Sequence, residues 1–186
     1  MEKTQLQYKK VIDQCLQLFL RKAKDYGTSW RILRLTSVTD LIFIKAERIK
    51  SIEETKVNKV GDSIKDEFIG IINYCVIALI LMKIKSKAID SSKLNELESI
   101  KEAYMLQTDY TFEIMTRKNH DYGEAWRQMR PTSFTDLIRM KLLRLKQIED
   151  NDGKTIASEG PIGSYVDIIN YAVFALIRLE ESIILT

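Results

Sequence analysis

The sequence predicts an all-α protein built from two similar three-helix units. Residues 21–54 and 117–150 align at an offset of 96, and 19 of the 34 positions are identical. Residues 71–80 then match 168–177 at an offset of 97. With only 7 Gly and 2 Pro in 186 residues, turns are few, and no segment alternates as a strand would. We therefore expect two repeats packed as one helical bundle around a pseudo-twofold axis, residues 1–86 and 87–186.

The first helix of each repeat is predicted over about Thr4–Asp25 and about Ser92–Asp121. Apolar residues recur three or four positions apart in both segments. Gly27 and Gly123 follow directly, and glycine is the residue favoured just after a helix C-terminus. A short segment with one tryptophan then leads to the second helix.

Serine N-caps predict that the second helix begins at Ser37 and at Ser133. Asp40 and Asp136 lie three residues on, where an acid supports a helix N-terminus. These helices are expected to end near residues 54 and 150. Strongly apolar third helices follow over about residues 62–85 and 161–184.

The composition excludes several classes of protein. A net charge of +3 does not indicate the clustered basic surface that nucleic-acid binding needs. Cys15 and Cys75 lie within apolar helical patterns, which predicts two buried free thiols. The apolar stretch 68–82 is too short for a bilayer, and its counterpart carries Asp167 and Arg178. Without a signal peptide pattern, we expect a cytoplasmic protein; a homodimer is compatible with these features.

The end of the first helix carries the first set of candidate residues. The pattern K-x-x-D-Y-G-x-x-W occurs in both repeats. An acid faces the unfavourable end of the helix dipole there, which suggests a charge partner or a metal ion. The glycine and tryptophan have a structural explanation as a helix stop and an anchor. The candidates are Asp25, Tyr26, Trp30, Asp121, Tyr122 and Trp126.

Two basic residues lie on the apolar stripe of each second helix. Lys45 and Arg48 step with Leu41 and Ile52 at spacings of four, three and four, and repeat two has Lys141 and Arg144 at the same places. Because an unpaired buried charge is costly, these side chains must find anions. The anions are either carboxylates of another helix or the phosphate of a ligand.

Acidic residues line one face of each third helix. Counted from the asparagine, repeat one has acids at −11 and −7 (Asp62, Asp66, Asn73), and repeat two has them at −11 and −3 (Glu159, Asp167, Asn170). Carboxylates stacked on a helix face suit Mg²⁺. The alternative is an acidic stripe that neutralises the basic residues of helix two.

These motifs together resemble the family called nucleotide modification associated domain 1, over nearly the whole chain and as two tandem copies. The resemblance implies a role in nucleotide metabolism or DNA-base modification. The layout is also similar to MazG-like all-α nucleotide pyrophosphohydrolases, which bind Mg²⁺ through paired acids on two helices. This chain departs from their E-x-x-E pattern, since helix two offers Asp40 and Glu47, and Leu143 replaces Glu47 in repeat two.

Two functions are therefore expected from the sequence. In the first, the protein binds or hydrolyses a nucleotide. The helix-three acids hold Mg²⁺ as catalytic ligands, and Asp25 and Asp121 are further candidate ligands of the ion. The basic pairs and asparagines hold phosphate, and the aromatic residues stack on a base. In the second, the charges form a structural network in a non-catalytic helical module that binds a protein partner.

Overall fold

A computed structural model of the chain describes residues 2–59, 61, 63–154 and 160–184, and within these ranges it is helical with no strand. The helices are α1 (Glu2–Tyr26), α2 (Leu35–Thr55), α3 (Ile64–Lys85), α4 (Leu97–Tyr122), α5 (Pro131–Asp150) and α6 (Gly160–Ile184). Short 3-10 turns occur at Ser29–Ile32, Ser91–Lys93 and Ala125–Gln128. The prediction of an all-α bundle of two three-helix units is confirmed.

The packing of the helices follows a pseudo-twofold relation between the repeats. α3 packs on α6, α2 on α5 and α1 on α4, so each helix contacts its own counterpart. Contacts of α1 with α6 and of α4 with α3 also cross between the repeats. Within each repeat, α2 packs on α3 and α5 on α6, so the core is formed both within the repeats and between them.

The centre of that core is the pair α3 and α6. Both helices are long and apolar enough to cross a membrane by length and composition, but 67% of the apolar stretch of each is buried inside the bundle. Burial by neighbouring helices is what core helices of a soluble protein show. Cytoplasmic location stays a prediction. Cys15 and Cys75 are buried free thiols, as expected.

Two buried tyrosine–asparagine hydrogen bonds join the repeats across the core. The Tyr8 hydroxyl donates to Asn170 Oδ1 at 2.7 Å, and the Tyr104 hydroxyl donates to Asn73 Oδ1 at 2.8 Å. Asn73 Nδ2 also donates to the Cys15 carbonyl at 3.2 Å. The expectation that Asn73 and Asn170 hold a ligand is therefore corrected, because both side chains are buried and their Oδ1 atoms bond to tyrosines of the other repeat.

The helix boundaries agree with the sequence at glycines and differ at serines. Gly27 and Gly123 follow α1 and α4 with φ of 64° and 57°, in the left-handed region that favours glycine. The predicted N-caps Ser37 and Ser133 are wrong, since α2 and α5 begin two residues earlier, and Pro131 fits the first helical position because it needs no N–H bond there.

The first prediction concerns Tyr104. Tyr104→Phe should lower the free energy of unfolding by about 1–3 kcal/mol, because Asn73 Oδ1 loses its buried donor. Urea unfolding followed by circular dichroism measures the change. The matched control is Tyr110→Phe on the same helix, whose exposed side chain should cost less than about 0.5 kcal/mol. Equal effects at both positions would contradict a role for the buried bond.

Candidate functional site

Each repeat carries three basic residues that we call a cation triad: one at the end of its first helix and two, one turn apart, on its second. The triads are Lys22, Lys45 and Arg48 in repeat one, and Lys118, Lys141 and Arg144 in repeat two. Sequence reasoning found the second-helix members. The lysine of the first helix belongs to the set because Lys118 and Lys141 bind the same carboxylate, that of Asp167.

In repeat one, the triad contacts Glu67 of α3. Lys45 Nζ lies 3.0 Å from Glu67 Oε2, and Arg48 pairs with the other carboxylate oxygen. The Glu67 side chain is 5% exposed, whereas those of Lys45 and Arg48 are 28% and 22% exposed. A buried carboxylate with two charged donors is strongly stabilised by them, because the low local dielectric strengthens each pair.

In repeat two, the triad contacts Asp167 of α6. Lys118 Nζ lies 2.7 Å from Oδ1, and Lys141 Nζ lies 2.6 Å from Oδ2. Burial would raise the pKa of this carboxyl, but the hydrogen bonds and charges of the two lysines outweigh it and the pKa is lowered. Asp167 is therefore held as a carboxylate that bridges α4, α5 and α6.

The acid differs in position by one helical turn between the repeats. Glu67 corresponds to Ser164, and Asp167 corresponds to Gly70. A Cβ at Gly70 would come within 2.8 Å of Lys45 Cε, so the lysine side chain occupies the place where repeat two has its aspartate. The expected arrangement, in which helix-two cations face an acid of helix three, is present in both repeats, with Glu67 as the unforeseen partner.

A different member of each triad is left without a counter-ion. Within the part of the chain that the structure describes, Lys22 and Arg144 make no hydrogen bond and no ion pair. Lys22 is exposed, whereas Arg144 is only partly exposed. A guanidinium carries five donors in a planar fork suited to a phosphate or a carboxylate. Arg144 is thus the group best placed to bind an added anion.

The aromatic residues of the D-Y-G-x-x-W motif divide into exposed and buried members. Tyr26 and Tyr122 are 56% and 73% exposed. Trp30 and Trp126 are 8% and 7% exposed, and Trp126 stacks on Phe174 with ring centroids 4.2 Å apart. The expectation that the tryptophans stack on a base is corrected, because both rings already pack in the protein.

In repeat two, a tyrosine pair lies near the triad. Burial raises the pKa of the Tyr171 phenol, Asp167 and Tyr122 act in the same direction, and Lys118 acts against it. In repeat one, burial raises the pKa of the Tyr26 phenol, and Tyr74 and Asp25 add to it. Tyr26 and Tyr74 therefore form the corresponding pair.

Among the described residues, the remaining acids that the sequence suggested for Mg²⁺ do not gather in one place. Asp66 accepts from the Ser63 backbone N–H at 3.0 Å and caps α3, and Asp25 and Asp121 are exposed. Both Asp167 oxygens hold lysines. Asp62 and Glu159 lie outside the described residues, among which no three acid, histidine or cysteine groups form a metal-sized cluster. Mg²⁺ binding stays a prediction.

A second pair of acids, which sequence reasoning missed, lies between α2 and α5. Thr39 donates to Glu149 at 2.7 Å, and Thr135 donates to Glu53 at 2.9 Å. Tyr165 also donates to Glu149 at 3.4 Å. Burial raises the pKa of both carboxyls, although these bonds partly offset it. Thr39 corresponds to Thr135 and Glu53 corresponds to Glu149. This identity between the repeats is the sequence feature that could have pointed to these residues.

Two expected capping acids instead make ion pairs. Asp40 Oδ1 lies 2.7 Å from Lys146 Nζ of α5, so it links the second helices of the two repeats. Asp136 lies 3.7 Å from Arg139 on its own helix. Arg139 in turn binds Glu47 of α2, with Nε 2.6 Å from Oε1. Asp40 and Glu47 are thus both paired with basic residues of α5.

Comparison with known protein families finds one match. The model of nucleotide modification associated domain 1 matches residues 22–82 and again residues 118–179. The two segments cover about two thirds of the chain, and each contains one complete cation triad. No curated protein and no solved structure matches the chain, so the similarity to MazG-like enzymes stays a prediction.

The second prediction exchanges the acid between its two positions. Glu67→Ser should lower the free energy of unfolding by about 1–3 kcal/mol, because Lys45 and Arg48 lose a charged acceptor. Adding Gly70→Asp should recover part of that loss, since an aspartate there takes the place that Asp167 has in repeat two. Urea unfolding of the four proteins in this double-mutant cycle measures the coupling.

The control for that cycle is Glu54→Ser. Glu54 pairs with Lys50 at 3.5 Å on the exposed side of α2, so its loss should cost less than about 0.5 kcal/mol. If Gly70→Asp has the same effect with Glu67 present as with Glu67 removed, the two acid positions are not interchangeable and the interpretation is wrong.

The third prediction concerns pH. Because burial raises the pKa of Glu149 in the folded state, its contribution to stability is present at low pH and is lost as pH rises through that pKa. Glu149→Gln removes this loss. Relative to wild type, the variant should be more stable at about pH 7 than at about pH 4.

Glu53→Gln should show the same sign, because Glu53 occupies the equivalent place and burial also raises its pKa. Urea unfolding at both pH values provides the measurement. A variant-to-wild-type difference that stays constant with pH, or grows toward acid, would refute the burial argument.

Proposed function

Because the chain belongs to the nucleotide modification associated domain 1 family, we propose that it is a nucleotide-binding protein whose cation triads bind phosphate groups. Arg144 carries the proposal: it is a partly buried guanidinium without a counter-ion among the described residues, one turn from Lys141. A phosphate oxygen beside it would gain charge-assisted hydrogen bonds without displacing an existing ion pair.

The balance of charge in the triads supports the same conclusion. Each triad has three cations, and among the described residues Glu67 or Asp167 pairs with two of them. An anionic ligand would reduce the excess positive charge on this face. The exposed rings of Tyr26 and Tyr122 lie at the same helix ends, where they are free to stack on a base.

Mg²⁺ and hydrolysis are a further part of this proposal. The acids that would hold the ion are Asp62 and Glu159, which the sequence places eleven residues before each buried asparagine. Such an ion would neutralise charge on the phosphoryl group and activate water. The binding proposal does not depend on it, since the triads can hold phosphate alone.

The second candidate function is the non-catalytic module that the sequence also allowed. Its supporting observation is that Glu67 and Asp167 already satisfy two cations each, which is what a purely structural network requires. In that case the triads join helices and the protein acts by binding a partner. The two candidates differ in what Arg144 does, because the structural network does not use it.

The fourth prediction tests phosphate binding. The wild-type protein should bind a deoxynucleoside triphosphate in titration calorimetry, and Arg144→Gln should weaken binding about tenfold or more, because charged hydrogen bonds contribute about 1.5–3 kcal/mol. Binding should also weaken as salt is raised. Arg34→Gln is the matched control, because Arg34 is exposed and makes no side-chain cap bond.

The titration is run with and without Mg²⁺, and pyrophosphate release is assayed in the same samples. Turnover that requires Mg²⁺ would extend the proposal to catalysis. Absence of nucleotide and inorganic phosphate binding under both conditions, or equal affinity of wild type and Arg144→Gln, would overturn it in favour of the structural module.

A further inference from the structure

Given the phosphate-binding function proposed above, on which this inference rests, we propose that only repeat two binds the ligand and that Glu67 fills the corresponding site in repeat one. The site in repeat two lies between Arg144 of α5 and Ser164 at the start of α6. Its ligand group is the terminal phosphate of a nucleotide, so the protein binds one nucleotide per chain.

The Glu67 carboxylate shows which chemical group fits between the second and third helices. Lys45 Nζ lies 3.0 Å from Glu67 Oε2, and Arg48 binds the other carboxylate oxygen. The Glu67 side chain is 5% exposed, so the protein covers this oxyanion, whereas the Arg48 side chain is 22% exposed. A phosphate presents similar negatively charged oxygens, and the guanidinium fork binds phosphate and carboxylate alike.

Repeat two has the same arginine but lacks the glutamate. Arg144 corresponds to Arg48, and the position of Glu67 is taken by Ser164, which is 3% exposed. α5 packs on α6 as α2 packs on α3, so the two pairs of helices correspond. A serine side chain ends before the point at which a glutamate side chain carries its carboxylate. Within the described residues, Arg144 therefore has no acid at the place where Arg48 has one.

Lys141 does not replace the missing contact, because it is bound to a different position of α6. Its Nζ lies 2.6 Å from Oδ2 of Asp167. The counterpart Lys45 instead extends past Gly70, the position equivalent to Asp167, where an added Cβ would lie 2.8 Å from Lys45 Cε. In repeat two, the lysine is thus held by its own acid, and the arginine remains available to an added anion.

The start of α6 favours an anion at the same place. α3 carries Asp66 and Glu67 in its first turn, whereas the described first turn of α6 contains no acid and has Gly163 and Ser164 at these positions. The N-terminal end of a helix carries partial positive charge, so an anion within the first turn is stabilised. Side chains supply that anion in repeat one, and a ligand phosphate would supply it in repeat two.

The size of the site limits it to the end of the ligand. In repeat one a single carboxylate occupies the place, so the equivalent place in repeat two is sized for one anionic group. Arg144 is partly exposed, which leaves the sugar and base of a nucleotide on the solvent side of the guanidinium. Inorganic phosphate should therefore compete for the same site.

Exchanging the residues at positions 67 and 164 tests the proposal. Titration calorimetry with a deoxynucleoside triphosphate, without Mg²⁺, compares wild type, Glu67→Ser, Ser164→Glu and the double variant. We expect one site in wild type and two in Glu67→Ser, because Lys45 and Arg48 lose their carboxylate. Ser164→Glu should weaken binding about tenfold or more, since its own carboxylate takes the place of the phosphate. The double variant should again have one site, and inorganic phosphate should displace the nucleotide.

The double variant also changes the arginine on which binding depends. Adding Arg48→Gln to it should weaken binding about tenfold or more, whereas adding Arg144→Gln should leave the affinity unchanged. Ser182→Glu is the matched control, because it places the same charge at an exposed position about 27 Å further along α6. At an ionic strength of about 0.1 M it should change the affinity less than about twofold, since charges beyond a Debye length are screened.

Circular dichroism verifies the fold of each variant. If Glu67→Ser does not fold, Glu67→Ser with Gly70→Asp replaces it, because that pair gives repeat one the residues of repeat two. Two sites in wild type, one site in folded Glu67→Ser, or equal affinity of Ser164→Glu and wild type would overturn this proposal and leave nucleotide binding intact. No binding by any of these proteins would overturn both.

Discussion

The structure depends on the burial of two helices that are apolar on nearly every side. α3 and α6 pack on each other, and each needs further helices around it because one partner covers only part of its surface. Within each repeat, α2 packs on α3 and α5 packs on α6, and helices of the other repeat cover further sides. The two repeats therefore share one core. The buried bonds from Tyr8 to Asn170 and from Tyr104 to Asn73 then fix how one repeat sits on the other.

The same constraint explains the charged sites. Because α2 and α5 must bury one stripe against α3 and α6, the basic residues on that stripe are drawn toward the core. They are tolerated because an acid from the apolar helix meets them. The acid is Glu67 in repeat one and Asp167 in repeat two, at positions one helical turn apart. Among the residues that the structure describes, Lys22 and Arg144 make no ion pair, so we expect the two faces to differ in their affinity for the same ligand.

The repeats agree at some buried positions and differ at others. Thr39 with Glu149 and Thr135 with Glu53 keep the same residues and the same bonds at the contact between α2 and α5. In α1 and α4, by contrast, Val11 stands where repeat two has Gln107. Ala23 stands where repeat two has Asn119, and Trp30 Nε1, unlike Trp126 Nε1, has no hydrogen-bond partner among the described residues.

The sequence alone determined the fold class of this protein and the order of its helices. The repeat, the apolar periodicity and the two glycine stops were enough to predict six helices, their order and a pseudo-twofold bundle, because these are local signals. It also predicted that Lys45, Arg48, Lys141 and Arg144 would meet either carboxylates of another helix or a ligand phosphate, and among the described residues the first three pair with acids of the third helix. Which acid they meet was decided only in three dimensions. Asp66 and Glu67 are neighbours in the chain, but their side chains point about 100° apart around α3. The orientation of α3 against α2 turns Glu67 inward, whereas Asp66 caps the helix. Likewise, the sequence predicted Asn73 and Asn170 as site residues, but in the structure each accepts a hydrogen bond from a tyrosine of the other repeat. The spacing of residues within one repeat does not reveal such contacts between repeats.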